Sequence, residues 1–178
     1  MTESIVEVSH LRKSYGKVEA LKGISFEVRK GEVFTLIGPN GAGKTTTLEI
    51  IEGLRKKDSG EVRVFGMDVE LELSKIKPRI GVQLQRLRIA TTLVSSPELL
   101  FLDEPTTGLD PQSRRYIWKM IEGLREEGRT VLLTTHYMEE AETLADLVRR
   151  GVKVKHVEIK TSGLEDVFLN LTGKELRD

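Results

Sequence analysis

No cysteine occurs anywhere in the chain, which excludes a disulfide framework, a thiolate zinc site and a cysteine nucleophile and is compatible with a reducing compartment. Long apolar runs are missing too. Nothing approaches the roughly 18 residues that a membrane-crossing helix needs, and pieces such as Val33 to Ile37 are the longest, so wherever a membrane is involved a partner must cross it. Net charge is absent, because 28 Lys and Arg balance 28 Asp and Glu. No global field therefore advertises nucleic acid or an anionic membrane, and any anion site must be local. The first ten residues, MTESIVEVSH, are acidic and strand-like and do not read as a secretory signal. Side-chain amides are confined to Asn40, Asn170, Gln83, Gln85 and Gln112 against 31% charged residues, a balance expected of a thermophilic source.

What is present is enough for one domain: 178 residues can bury a core without covalent staples. Short apolar strands alternate with amphipathic helices and glycine-containing turns, the pattern of an α/β domain on a largely parallel sheet. Strands are expected at Ile5 to Val8, Ile24 to Val28, Val33 to Ile37, Val62 to Phe65, Leu99 to Leu102 and Val131 to Thr134, with Gly16, Gly23, Gly31 and Gly60 marking turns. Helices are expected from Gly43 to near Gly53, over Gln112 to Leu124, Met138 to Leu144 and Leu164 to Leu171. Val152 and Val154 alternate with Lys153 and Lys155 as in an edge strand. Val157 and Ile159 resume one residue out of step, so a bulge or a break is expected near His156. No internal repeat or low-complexity segment is found.

Gly38-Pro39-Asn40-Gly41-Ala42-Gly43-Lys44-Thr45 satisfies G-x-x-x-x-G-K-[ST], after an apolar strand and at the opening of a helix. Glycines there let backbone N–H groups turn inward around phosphate oxygens, the helix start adds partial positive charge, and Lys44 adds a full one. Thr45 offers a hydroxyl to Mg²⁺. This pattern predicts an ATP·Mg²⁺ site spanning Gly38 to Thr46. Leu99-Leu100-Phe101-Leu102-Asp103-Glu104 then places two carboxylates at the end of a buried strand, where open α/β sheets form their ligand crevice. Asp103 is the candidate for the Mg²⁺ shell. Glu104 is the candidate base that polarises a water for attack on the γ-phosphate.

Phe101 to Pro111, FLDEPTTGLDP, and Thr134 to Glu142, TTHYMEEAE, resemble the second nucleotide motif, D-loop and histidine segment of ABC-transporter ATPases. The resemblance implies that His136 contacts the γ-phosphate and helps hold the catalytic water, that Gly108, Leu109 and Asp110 form a D-loop reaching the opposing subunit, and that Tyr15 stacks on adenine. Gln85 resembles the glutamine that touches Mg²⁺ and the attacking water, with Gln83 the register alternative. It also implies a head-to-tail, ATP-dependent homodimer, a transmembrane permease partner and a place on the inner face of the cell membrane, with no nucleic acid. The segment Gly163 to Gly173 resembles the tail of the drug-exporter branch. His10 and His156 match nothing in the family pattern.

The resemblance breaks twice. No LSGGQ-like signature occurs, and Gln85 runs directly into Arg86-Leu87-Arg88-Ile89-Ala90, which resembles the segment just after that signature. Gln85 could equally close the signature segment. A second break falls where Arg150 meets Gly151. The expected organisation is thus a single ABC-type ATP-binding domain over 1–178, a P-loop core with a smaller antiparallel β subdomain. Its helical subdomain is missing at about 85/86 and a second gap lies at about 150/151. Either the chain is shortened, or segments are joined across intervening stretches of a longer one. Three functional readings follow: a transporter ATPase, a nucleotide-binding module without normal turnover because the signature is absent, or a soluble ABC-type ATPase outside transport.

Overall fold

The computed structural model describes residues 3–83, 96–136 and 154–158, with Gln83 and 154–158 described by backbone alone. Two sheets divide the work. A four-stranded antiparallel sheet is ordered β2-β1-β4-β5, formed by β1 (Ser4–Tyr15), β2 (Val18–Arg29), β4 (Ser59–Val64) and β5 (Met67–Asp68). A five-stranded parallel sheet is ordered β6-β7-β8-β3-β9, formed by β6 (Ile80–Gln83), β7 (Leu99–Leu102), β8 (Thr130–Thr135), β3 (Val33–Ile37) and β9 (Val154–Glu158). The expected α/β architecture with a smaller antiparallel part is therefore what forms.

The central strands β3, β7 and β8 are buried along their whole length, and their Val, Leu, Ile and Phe side chains reflect a sheet covered on both faces. Phe34, Leu36, Leu99, Phe101 and Leu132 join one buried cluster with the antiparallel sheet and with α1 (Lys44–Ile51), which contributes Leu48, Ile50 and Ile51. Phe26 of the antiparallel sheet stacks on Phe34 with ring centroids 4.9 Å apart. Their sequence neighbours Val33, Ile37, Leu100, Leu102, Val131 and Leu133 face the other way, as period-two alternation requires. They pack against α3 (Pro111–Glu126), whose inward stripe is Trp118, Ile121 and Leu124. α3 starts where Asp110 caps it, accepting from the N–H groups of Gln112 at 2.9 Å and Ser113 at 3.0 Å.

Several local expectations are corrected. Gly23 is not a turn: it lies inside β2 with φ +96°, where the register against β1 steps from Leu11↔Ile24 to Arg12↔Lys22. Long cross-strand pairing carries the chain through a position that in sequence looks like a break. The bulge or break expected near His156 does not occur within β9, which pairs with β3 in continuous register from Val33↔Val154 through Thr35↔His156 to Ile37↔Glu158. β9 does lie at an edge of the described sheet, as its alternation suggested. β6 and the short α2 (Leu73–Ile76) were not anticipated. The helices expected at Met138 to Leu144 and Leu164 to Leu171, Gln85, and both junctions lie outside the described residues.

Candidate functional site

β3, β7 and β8 are neighbours in one parallel sheet, so the loops that leave their C-terminal ends converge on one spot. The loop after β3 folds back on itself through Ala42 N–H to Pro39 O at 3.2 Å, and is pinned to β8 by Gly38 N–H to Thr135 O at 3.4 Å. Gly43 ends it with φ +90°. A Cβ there would lie 2.6 Å from Leu21 Cδ2 and 2.7 Å from the Ala20 carbonyl oxygen, so both conformation and space demand glycine. This same residue is the N-cap of α1, and it offers no capping side chain. The start of α1 therefore contrasts with that of α3, which Asp110 satisfies internally. An uncapped helix start with no acidic residue in its first turn favours an anion.

Lys44 is buried at 5% exposure yet fully engaged, donating to the carbonyls of Gly38 at 2.8 Å and Pro39 at 3.0 Å. Its ammonium also lies 3.7 Å from Glu104 Oε1. Thr45 donates its hydroxyl to Asp103, 3.1 Å from Oδ2 and 3.3 Å from Oδ1. The two carboxylates at the end of β7 thus meet the two chemistry-bearing residues at the end of the loop, the juxtaposition expected from sequence. His136, just past β8, places Nδ1 3.1 Å from Glu104 Oε1, and Thr107 donates its hydroxyl to Glu104 Oε2 at 3.2 Å. Glu104 itself has φ +47°, a conformation that costs an L-residue with a side chain about 1–2 kcal/mol. Strain held at this position marks it as one the surroundings over-determine.

Tyr15 closes β1 at the rim of the site, 41% exposed, with its hydroxyl 3.4 Å from that of Thr46. Arg55 Cζ lies 5.3 Å and Lys13 Nζ 5.8 Å from its ring centroid, within cation–π range. Both cations are held by acids, Arg55 by Glu49 and Lys13 by Asp58. Hydrogen bonding to Glu49 raises Arg55 further above its ordinary value, and hydrogen bonding to Lys13 holds Asp58 below its own. Arg55, Lys13 and Thr107 were not singled out from sequence. Nor was Thr134, buried in β8, which contacts both Asp103 and Glu104. Nothing in an apolar strand reading LLTT separates a structural threonine from one at a site.

Asp103 and Thr45 are hard oxygen donors of the kind Mg²⁺ prefers. Among the described residues no cluster of three or more His, Cys, Asp or Glu is arranged to cage a metal.

Fold and site together define a P-loop nucleotide-binding domain. Residues 21–85 match the family model described as ABC transporter, and residues 84–140 match one described as an AAA domain, putative AbiEii toxin, Type IV TA system. The Nod factor export ATP-binding protein I of Paraburkholderia xenovorans is 34% identical, over 86% of this chain and 71% of its own length. The linearmycin resistance ATP-binding protein LnrL of Bacillus subtilis is also 34% identical, over 81% and 65%. So is the daunorubicin/doxorubicin resistance ATP-binding protein DrrA of Streptomyces peucetius, over 80% and 61%. The chain belongs to the family of ABC transporter ATP-binding proteins. Among solved structures, the ATP-binding cassette MJ0796, a dimer in a post-hydrolysis state with ADP and Pi, superposes with a TM-score of 0.78 at 22% identity, covering 96% of this chain and all of that one. The Clostridium perfringens cbiO1 structure gives 0.73 at 23% identity, covering 89% and 86%. These two likenesses speak for the fold.

Proposed function

We propose that this chain is the ATP-binding and ATP-hydrolysing subunit of an exporter-type transporter, driving a membrane partner from a head-to-tail dimer on the inner face of the cell membrane. One observation carries the reading: the strand-end carboxylates reach the phosphate loop, Asp103 at Thr45 and Glu104 at Lys44. An acidic pair that merely left a strand for solvent would have no reason to do so.

In this reading Gly38 to Thr46 hold the phosphates with backbone N–H groups and with the uncapped start of α1. Lys44 exchanges its two carbonyl contacts for phosphate oxygens. Thr45 and Asp103 would hold Mg²⁺, which when bound neutralises charge on the phosphates. Gln85 would join them. Glu104 accepts the proton of the attacking water, and His136, beside the same carboxylate, orients that water and meets the γ-phosphate. Tyr15 offers the adenine a π-face whose surroundings carry two cations. Relatives named for Nod factor export and for linearmycin and daunorubicin/doxorubicin resistance support an export role, while the cargo is chosen by the membrane partner.

The decisive experiment pairs nucleotide binding with phosphate release. Lys44→Ala should abolish measurable ATP binding; Glu104→Gln should bind ATP as the parent does while turnover falls by roughly a thousandfold or more. Hydrolysis unchanged in Glu104→Gln removes that residue as the base. A second reading rests on the absence of an LSGGQ-like segment from the sequence: a module that holds nucleotide without normal turnover. Turnover that rises cooperatively with protein concentration refutes it, and tight binding without turnover in the parent chain supports it.

A further inference from the structure

Asp103 and Glu104 are adjacent in sequence, yet their side chains serve different partners, and something must hold each in its own direction. Thr134, with no exposed surface, stands between them. Its Oγ1 accepts from the backbone N–H of Glu104 at 2.9 Å and donates to Asp103 Oδ1 at 2.6 Å. Chemistry fixes the sense of both bonds, since a backbone amide can only donate and an ionised carboxylate can only accept. A hydroxyl is the smallest group able to satisfy both. The contact to Asp103 is short, as expected when the acceptor is charged. The contact to Glu104 falls on the residue held at φ +47°, at the point where the chain turns away from the sheet.

We propose that Thr134 is a positioning residue for the nucleotide site, locking the Asp103 carboxylate toward Thr45 and the Glu104 main chain in its left-handed conformation as one unit. This rests on the reading of Asp103 as a Mg²⁺ ligand given above. An oxygen ligand whose second oxygen is left to rotate binds its metal less well, and removing such a supporting hydrogen bond commonly costs tenfold or more in metal affinity. Valine matches threonine in shape and abolishes both hydrogen bonds; serine keeps both and loses only a methyl group.

The test is calorimetric titration of ATP into the parent chain, Thr134→Val and Thr134→Ser, each with Mg²⁺ and with EDTA. In Thr134→Val the factor by which Mg²⁺ tightens ATP binding should fall about tenfold while metal-free affinity stays within about twofold, and Thr134→Ser should keep the parent's factor. Should valine prevent folding, Thr134→Ala carries the same comparison. An unchanged factor in the valine variant overturns the proposal, as does a serine variant that loses as much as valine. A parent chain whose ATP affinity ignores Mg²⁺ overturns instead the assignment of Asp103, and the proposal with it.

Discussion

Glu52 sits at the C-terminal end of α1 with 4% of its surface exposed, and its Oε2 has no hydrogen-bond partner among the described residues. Burial first, then the charges of Asp103 and Glu49, push its pKa up from 4.5 to about 7. In the unfolded chain the carboxyl ionises near its ordinary value, so between the two values the folded state keeps a proton that the unfolded state has released. Stability therefore declines as pH rises through this window, by about 1.4 kcal/mol per pH unit and about 3 kcal/mol in total. Below the window the group is neutral in both states and contributes nothing. Glu52→Gln removes the ionisation while keeping nearly the same shape. Urea unfolding of both proteins at steps from pH 4.5 to 8 brings out the effect, because carboxylates that do not interact with Glu52 cancel in the difference. The glutamine variant should gain on the parent as pH rises and lead by a few kcal/mol at pH 8. Two stability curves that run parallel across the range would refute the reasoning.

Gly43→Ala must both hold φ +90° and place a methyl group 2.6 Å from Leu21 Cδ2 and 2.7 Å from the Ala20 oxygen. A loss of about 2–4 kcal/mol is expected, together with loss of ATP binding, and parent-like affinity would contradict the packing argument. Trp118 is buried in the α3 interface with its indole N–H unpartnered among the described residues. Trp118→Phe relieves a penalty of about 1–3 kcal/mol and opens a void costing about 1, so thermal unfolding should move little or upward. Trp118→Ala should cost about 3–5 kcal/mol, and equal losses in the two variants would show that the indole N–H is satisfied after all.

Much of this molecule is legible in one dimension. The loop from Gly38 to Thr45 carries its own conformation, because glycines at Gly41 and Gly43 are needed for left-handed backbone and Lys44 and Thr45 follow at the helix start. The predominantly apolar β3 and the wholly apolar β7 announce a sheet covered on both faces, and the carboxylates just past β7 announce its ligand end. Local chemistry suffices for these, since each depends on residues within one turn or strand. The decision that only tertiary structure could make was which distant residues meet. Strand order sets β8 between β3 and β7, and that alone brings Thr134 to Asp103 and Glu104 and His136 to Glu104. Gly23 and His156 tell the same story in reverse: both looked like interruptions, and hydrogen bonding to a neighbouring strand, invisible in sequence, carried the chain through. Pairing partners and burial are properties of the assembled sheet, so the raised pKa of Glu52 and the hydroxyl bridge at Thr134 exist only once it has formed.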